Sequence, residues 1–301
     1  YGNNGKPQAY LLREKTNSWR NANTLTYENK DLFDGRDRLN VLIGHEVSSS
    51  FKKSVENVSV AFPNTMNISE IKANMGTGTA LPTQSTLGAK ENMLSFFGRA
   101  NYTLMDRYLL TFTLRGDGSS KFGKGNQWGL FPSAALAWRI SDETFMESAK
   151  DWLSSLKLRL SFGTAGNNRI NSGLLNTTYS LSGNDARYPA FGDAMSSMLE
   201  HGTNLYNPDL KWETTVTRNL GIDYGFWNNR ISGSIDLYWN TTKDLLMKTE
   251  IPSTTGYNYQ YRNFGQTSNK GVEFSMSAVL LDTKKYGLNF TFNLAYNRNK
   301  I

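Results

Sequence analysis

The side chains best suited to chemistry in this chain fall in two polar–aromatic clusters. Residues 184–212 hold Asp185, Arg187, Tyr188, Phe191, Tyr206 and Trp212, and residues 256–264 hold Tyr257, Tyr259, Tyr261, Arg262 and Phe264. Aromatic faces stack on the C–H faces of sugar rings, while flanking polar groups hydrogen-bond at the ring edges. Peptides suit the same kind of surface. A second reading stands beside this one, in which the aromatics only pack the loops together. Tyr257, Tyr259 and Tyr261 share a period-two face, so they also fit a strand continued above a wall.

Catalysis finds little support. The chain has no cysteine, which excludes disulfides, Cys-ligated zinc and a thiol nucleophile. His45 and His201 are the only histidines and lie far apart in sequence, so a mechanism needing a histidine cluster is not expected. No G-x-S-x-G elbow is present. Gly118 to Lys124 spells G-x-x-x-x-G-K, but Gly125 follows where a phosphate-binding loop needs Ser or Thr, and a strand follows where it needs a helix. Arg115-Gly116-Asp117 is an adhesion tripeptide only by spelling. The expectation is a non-enzyme without cofactor or metal.

Charge adds a further exclusion. Lys and Arg number 33 against 26 Asp and Glu, a net +7. The basic residues are scattered over the whole chain with no concentrated stripe, so a nucleic-acid partner is not expected.

The elements that must position the loops are strands. No apolar run exceeds the five residues Ala134–Trp138, against roughly 20 for a membrane helix. A mean hydropathy of −0.52 would ordinarily suggest a water-soluble chain. Membrane β-barrels, however, hide their apolar surface in alternation. Leu94, Phe96, Ala100 and Tyr102 alternate with Ser95, Arg99 and Asn101, and Leu156, Leu158, Leu160 and Phe162 alternate with Lys157, Arg159 and Ser161. Leu288, Phe290, Phe292 and Leu294 alternate with Asn289, Thr291 and Asn293. About ten such segments occur, each about 10–15 residues long. Soluble strands run to about 5–6 residues, whereas a tilted membrane strand needs roughly 9–11.

Short links near Asp34-Gly35, Met105-Asp106-Arg107, Asn228-Asn229 and Asp282 to Lys285 alternate with long ones at 48–90, 116–127, 167–210 and 241–269. Ser141 to Ser155 reads as a short helix capped by Ser141. Tyr102, Tyr108, Trp138, Tyr224, Phe226, Trp227 and Tyr286 gather at the short turns, as an interfacial aromatic girdle would. Arg218 falls on an apolar row, a place tolerated near the membrane surface. The opposite row (Arg99, Arg115, Arg139, Arg159, Asp223, Asp236 and Glu273) would face a water-filled lumen, suited to cross-strand pairing.

Three segments carry a family resemblance. The first runs from Leu114-Arg115-Gly116-Asp117-Gly118 through Lys121-Phe122-Gly123 to Trp128-Gly129-Leu130-Phe131-Pro132-Ser133 and Ala137-Trp138-Arg139. The second is Leu156-Lys157-Leu158-Arg159 with Ser161-Phe162-Gly163 and Gly166-Asn167. The third is Asn207-Pro208-Asp209-Leu210-Lys211-Trp212-Glu213, with Lys243-Asp244-Leu245-Leu246 and Asn269-Lys270-Gly271-Val272-Glu273-Phe274 following in order. Together they resemble the SusC/RagA-type TonB-dependent outer-membrane receptors of Bacteroidota.

The resemblance implies an all-β antiparallel transmembrane barrel of the 22-stranded type, with long extracellular loops and short periplasmic turns. Residues 1–301 would then be part of its wall, with the plug, the TonB-contacting segment, the signal peptide and the last strands outside this chain. It further implies import of an oligosaccharide or peptide across a Gram-negative cell outer membrane. A SusD-like surface lipoprotein would serve as lid, the TonB complex would act through the plug, and outer-membrane lipid would surround the wall. Two alternatives remain open on the residues alone: a passive porin, and a soluble all-β glycan-binding module.

Overall fold

The computed structural model describes residues 7–32, 35, 37–171, 173–175 and 202–301. It also gives the backbone of the short strands Tyr179–Leu181, Tyr188–Phe191, Ala194–Ser196 and Leu199–His201. Ten long strands follow one another in the sheet in chain order. They are β1 (Ala9–Leu32), β2 (Asp37–Val60), β3 (Glu91–Leu104), β4 (Tyr108–Ser119) and β5 (Trp128–Arg139). They continue as β6 (Leu153–Asn167), β7 (Glu213–Phe226), β8 (Ile231–Lys243), β9 (Gln266–Asp282) and β10 (Gly287–Lys300). From β3 to β10 each strand pairs antiparallel with the next.

The alternation predicted from sequence is the alternation of this wall. Phe112 is 52 % exposed and Leu294 59 %, so among the described residues no second protein layer covers the apolar row. The soluble-module alternative fails here, because a sandwich or soluble barrel would bury that row. Two of the short links are type I′ turns, whose backbone twist matches the right-handed twist of the strands. Met105 and Asp106 take φ of 50° and 57° between Leu104 and Arg107, and Asn228 and Asn229 take 55° and 61° between Trp227 and Arg230. Asn and Asp tolerate this left-handed region better than most residues.

The chain divides into two compact units, Tyr1–Asn21 with Ser48–Asn92, and Ala22–Val47 with Met93–Ile301. In the first, the later part of β2 pairs with Gln84–Leu87 and Thr79–Ala80. Its α-helix, Ile68–Ala73, opens on a capping box: Glu70 N donates to Asn67 Oδ1 at 3.0 Å and Asn67 N to Glu70 Oε2 at 2.9 Å.

Three sequence expectations are corrected. The link at 48–90 begins only after Val60, because β2 runs on for 24 residues in all. The Ser141-capped helix is absent. Ile140–Asp142 and Thr144–Ala149 form 3₁₀ turns, and Ser141 Oγ donates to Asp142 Oδ1 instead of to a helix end. The 241–269 link is largely strand, Leu246–Glu250 and Tyr259–Asn263.

Candidate ligand-binding loops

At the long-loop end of the second unit, a small core sits on the inward face of the wall. Phe122, Phe131, Ile170, Leu210 and Trp212 are buried together, with Met93, Leu174, Leu246 and Tyr261 packed against them. The Trp212 ring meets Phe122 at 5.3 Å and Phe131 edge-on at 5.5 Å, and its Nε1 donates to the Gln127 carbonyl at 2.9 Å. Full burial of each large ring contributes about 1.5–3 kcal/mol. The Gly118–Gly123 segment supplies Phe122, and the Asn207–Trp212 segment supplies Leu210 and Trp212. Gly123 is required at their junction, since a Cβ there would lie 2.6 Å from the Pro208 carbonyl oxygen.

Polar side chains lock the platform. Asn263 Nδ2 donates to the carbonyls of Lys211 (2.8 Å) and Asp244 (2.9 Å), while its Oδ1 accepts from Lys211 N at 2.9 Å. Glu213 accepts from Asn167 Nδ2 and from Leu246 N, each at 3.0 Å. Asn207 Nδ2 donates to the Tyr261 carbonyl at 2.8 Å.

Above this platform lies a three-stranded sheet of its own. Leu246–Glu250 pairs antiparallel with Tyr259–Asn263, which pairs in parallel with Asn204–Leu205. Tyr259 and Tyr261 meet edge-on at 6.0 Å, and Lys248 Nζ lies 3.7 Å from the centre of the Tyr259 ring. The tyrosines therefore belong to a separate sheet and do not extend the wall.

Of the residues singled out from sequence, Tyr206, Tyr257, Tyr259 and Tyr261 come together on this sheet and its flanks. Gln260 Nε2 donates to the Tyr206 carbonyl at 3.1 Å. Tyr206 is exposed, and Tyr257, Tyr259 and Tyr261 are half-buried. Trp212 is 7 % exposed and takes the packing alternative. Tyr188 and Phe191 lie on the short strand paired with Ala194–Ser196. Asp185 and Arg187 lie outside the described residues. Sequence reasoning missed Leu210, Asn263 and Phe122 as organisers of the site. Leu210 and Phe122 stand inside the segments that carry the family resemblance, whereas Asn263 gave no signal.

The inward row bears out cross-strand pairing. Arg159 Nε and Nη2 both donate to Asp223, at 2.9 and 2.7 Å, and Lys157 Nζ lies 2.9 Å from the same carboxylate. At the short-turn end Glu143 gathers three donors: Tyr108 Oη at 2.7 Å, Trp138 Nε1 at 2.9 Å and Arg107 Nη1 at 2.9 Å. These hydrogen bonds, Tyr108's first, hold the Glu143 carboxyl below its ordinary range. Tyr102 Oη likewise donates to Asp37 at 2.6 Å. Two of the girdle aromatics, Tyr108 and Trp138, stack on each other at 6.2 Å between ring centres, and both donate to this carboxylate.

Fold and site together define an antiparallel wall of barrel type, open in this chain, with short turns at one end and built loops at the other. Residues 1–301 match the family described as TonB dependent receptor-like, beta-barrel, and the chain belongs to that family. Its character is that of the SusC/RagA type. It is 42 % identical over 220 residues to the TonB-dependent receptor SusC of Bacteroides thetaiotaomicron, covering 72 % of this chain and 22 % of that protein. The TonB-dependent receptor P26 of Formosa agariphila is 32 % identical over 296 residues, 95 % of this chain and 28 % of that one. The RagAB peptide transporter superposes with a TM-score of 0.77 at 29 % identity, over 97 % of this chain and 31 % of that one. The chain thus spans less than a third of the length of each of these relatives. The Escherichia coli outer membrane transporter YddB shares the fold, with a TM-score of 0.61 at 12 % identity.

Proposed function

We propose that this chain is part of the wall and loops of an outer-membrane receptor that imports an oligosaccharide or peptide. The observation that carries the reading is the apolar row left bare across the long strands, with Phe112, Leu237 and Leu294 each more than two-fifths exposed. Hydrocarbon is the environment that makes such a row stable. Family membership supports active, TonB-dependent import over a passive porin.

In this reading Tyr206, Tyr257, Tyr259 and Tyr261 form one side of the ligand-binding surface, and Asp185, Arg187, Tyr188 and Phe191 are assigned to the same surface. Tyr206 and Tyr257 offer ring faces for stacking, Tyr259 (its ring covered by Lys248) and Tyr261 (packed on the core) offer hydroxyls, and Arg262 offers donors at the edge. Trp212 acts beneath the surface, by holding Phe122 and Phe131. A SusD-like surface lipoprotein closes over the loops, and the TonB complex drives transport through the plug; both come from the likeness to SusC and RagAB.

The test is deletion of residues 184–200 from the full-length receptor, which spares Asn207 to Trp212 and the core they complete. The deletion strain should lose growth on the oligosaccharide or peptide that the parent imports, while the receptor keeps its heat-modifiable, folded form. Undiminished growth would contradict the assignment of the ligand surface to these loops.

A further inference from the structure

The outward face carries a line of cations that import does not use. The register sets Arg218 of β7 opposite Trp239 of β8, Trp239 opposite Lys270 of β9, and Lys270 opposite Arg298 of β10. Directly opposed residues project to the same side of a sheet. All four therefore share the face of Leu220, Leu237, Val272 and Tyr296. One row nearer the loops, Lys300 stands opposite Ser268, and Lys243 opposite Gln266 lies one row beyond that.

Of the carboxylates on these strands, Glu213, Asp223, Asp236 and Glu273 alternate onto the opposite face, and Asp282 lies at the short-turn end. Among the described residues Arg218, Lys270 and Arg298 form no ion pair, and all three are exposed. The Arg218 guanidinium lies 5.1 Å from the centre of the Trp239 ring, and Trp239, Tyr296, Lys270 and Arg298 border one shallow recess.

Depth fixes what this line meets. From Phe226, beside the short turn, to Arg218 is nine residues counting both ends. A tilted strand crosses the hydrocarbon in about 9–11. The cations accordingly stand at the outer headgroup layer, where charge on the lipid face costs little. They span three strand spacings, about 14 Å. A carboxylate-free cationic line beside an interfacial tryptophan complements an anionic headgroup.

We propose that this face binds the phosphate groups of an outer-leaflet glycolipid through Arg218, Lys270 and Arg298. The inference rests on the wall being membrane-embedded as read above. It assigns Arg218, the apparent misfit of its apolar row, a ligand outside the import path.

The test uses the full-length receptor in neutral detergent, titrated with phosphorylated lipid A or with the same lipid dephosphorylated. Each basic residue near a charged leaflet changes affinity roughly fivefold. The Arg218→Gln/Lys270→Gln/Arg298→Gln receptor should therefore bind phosphorylated lipid A at least tenfold more weakly than the parent. The parent should prefer the phosphorylated form by a similar factor, and inorganic phosphate should not compete at millimolar concentration. Equal binding of the two lipids, an unchanged variant, or displacement by inorganic phosphate would each overturn the proposal. A receptor that inserts into phosphatidylcholine vesicles yet shows no phosphate preference refutes this inference alone. One that fails to insert refutes the membrane reading with it.

Discussion

Arg159 and Asp236 are hydrogen-bonded at 3.1 Å although a whole strand lies between them. The intervening residue in register is Gly221, opposite Arg159 on one side and Asp236 on the other. A Cβ at Gly221 would stand 2.6 Å from Asp236 Oδ1 and 2.7 Å from Arg159 Cζ. The glycine is the gap through which the guanidinium reaches. Gly221→Ala should break this bond and leave the Arg159–Asp223 pair intact. Both side chains remain partly exposed, so the loss should be about 1 kcal/mol or less. Thermal midpoints of the folded barrel in detergent give the check: Asp236→Asn should destabilise the parent but add nothing in the Gly221→Ala background.

Asp223 is the busier partner, shared by Arg159 and Lys157. Asp223→Asn should cost more than Gly221→Ala, because it leaves two cations facing each other on adjacent positions of the inward row. The same melting assay should rank the three variants, with Asp223→Asn lowest.

Trp212 joins the two loop segments through a single buried core. Trp212→Ala should destabilise that core by about 3–5 kcal/mol, the usual cost of removing a large buried ring. The loss is local, since the wall strands keep their ladder hydrogen bonds. Limited proteolysis should cut the 204–212 segment of the variant rapidly, while its heat-modifiable barrel form persists.

Glu143 makes the short-turn end sensitive to acid. Its folded carboxyl is held below the ordinary value, so it contributes stability that is fully present above the unfolded carboxylate range, about 4.3. That contribution is lost as pH falls through the depressed folded value. Glu143→Gln should therefore melt below the parent at neutral pH, and the difference should shrink as the pH is lowered toward the acid range.

Most of the wall was legible in the sequence because its physics is local. Period-two alternation sets which side chain faces lipid, and Asn228-Asn229 announces a tight turn. The Arg159–Asp223 pair was legible only as membership of one row, since register is a property of two strands. The Ser141 helix failed because the short link between Arg139 and Leu153 closes as two 3₁₀ turns around Glu143, whose carboxylate binds Tyr108, Trp138 and Arg107. The loop sheet was hidden for the opposite reason. Pairing of Asn204–Leu205 with Tyr259–Asn263 joins segments over 50 residues apart, and alternation alone cannot distinguish a new sheet from an extended strand. Trp212 carried the same residue type as a ligand-stacking aromatic, and only its contacts show that it is buried.

In the proposed reading, lipid covers the apolar row. Because this chain contains no cysteine, single cysteines for spin labels can be placed on either row of one strand in a cysteine-free full-length receptor. Labels at Leu220 and Ile222, compared with Gly221 and Asp223, reconstituted in phospholipid vesicles, give the measurement. Leu220 and Ile222 should show high oxygen and low nickel-chelate accessibility, and Asp223 the reverse. Matching nickel-chelate accessibility on both rows, or oxygen accessibility confined to the Asp223 side, would contradict it.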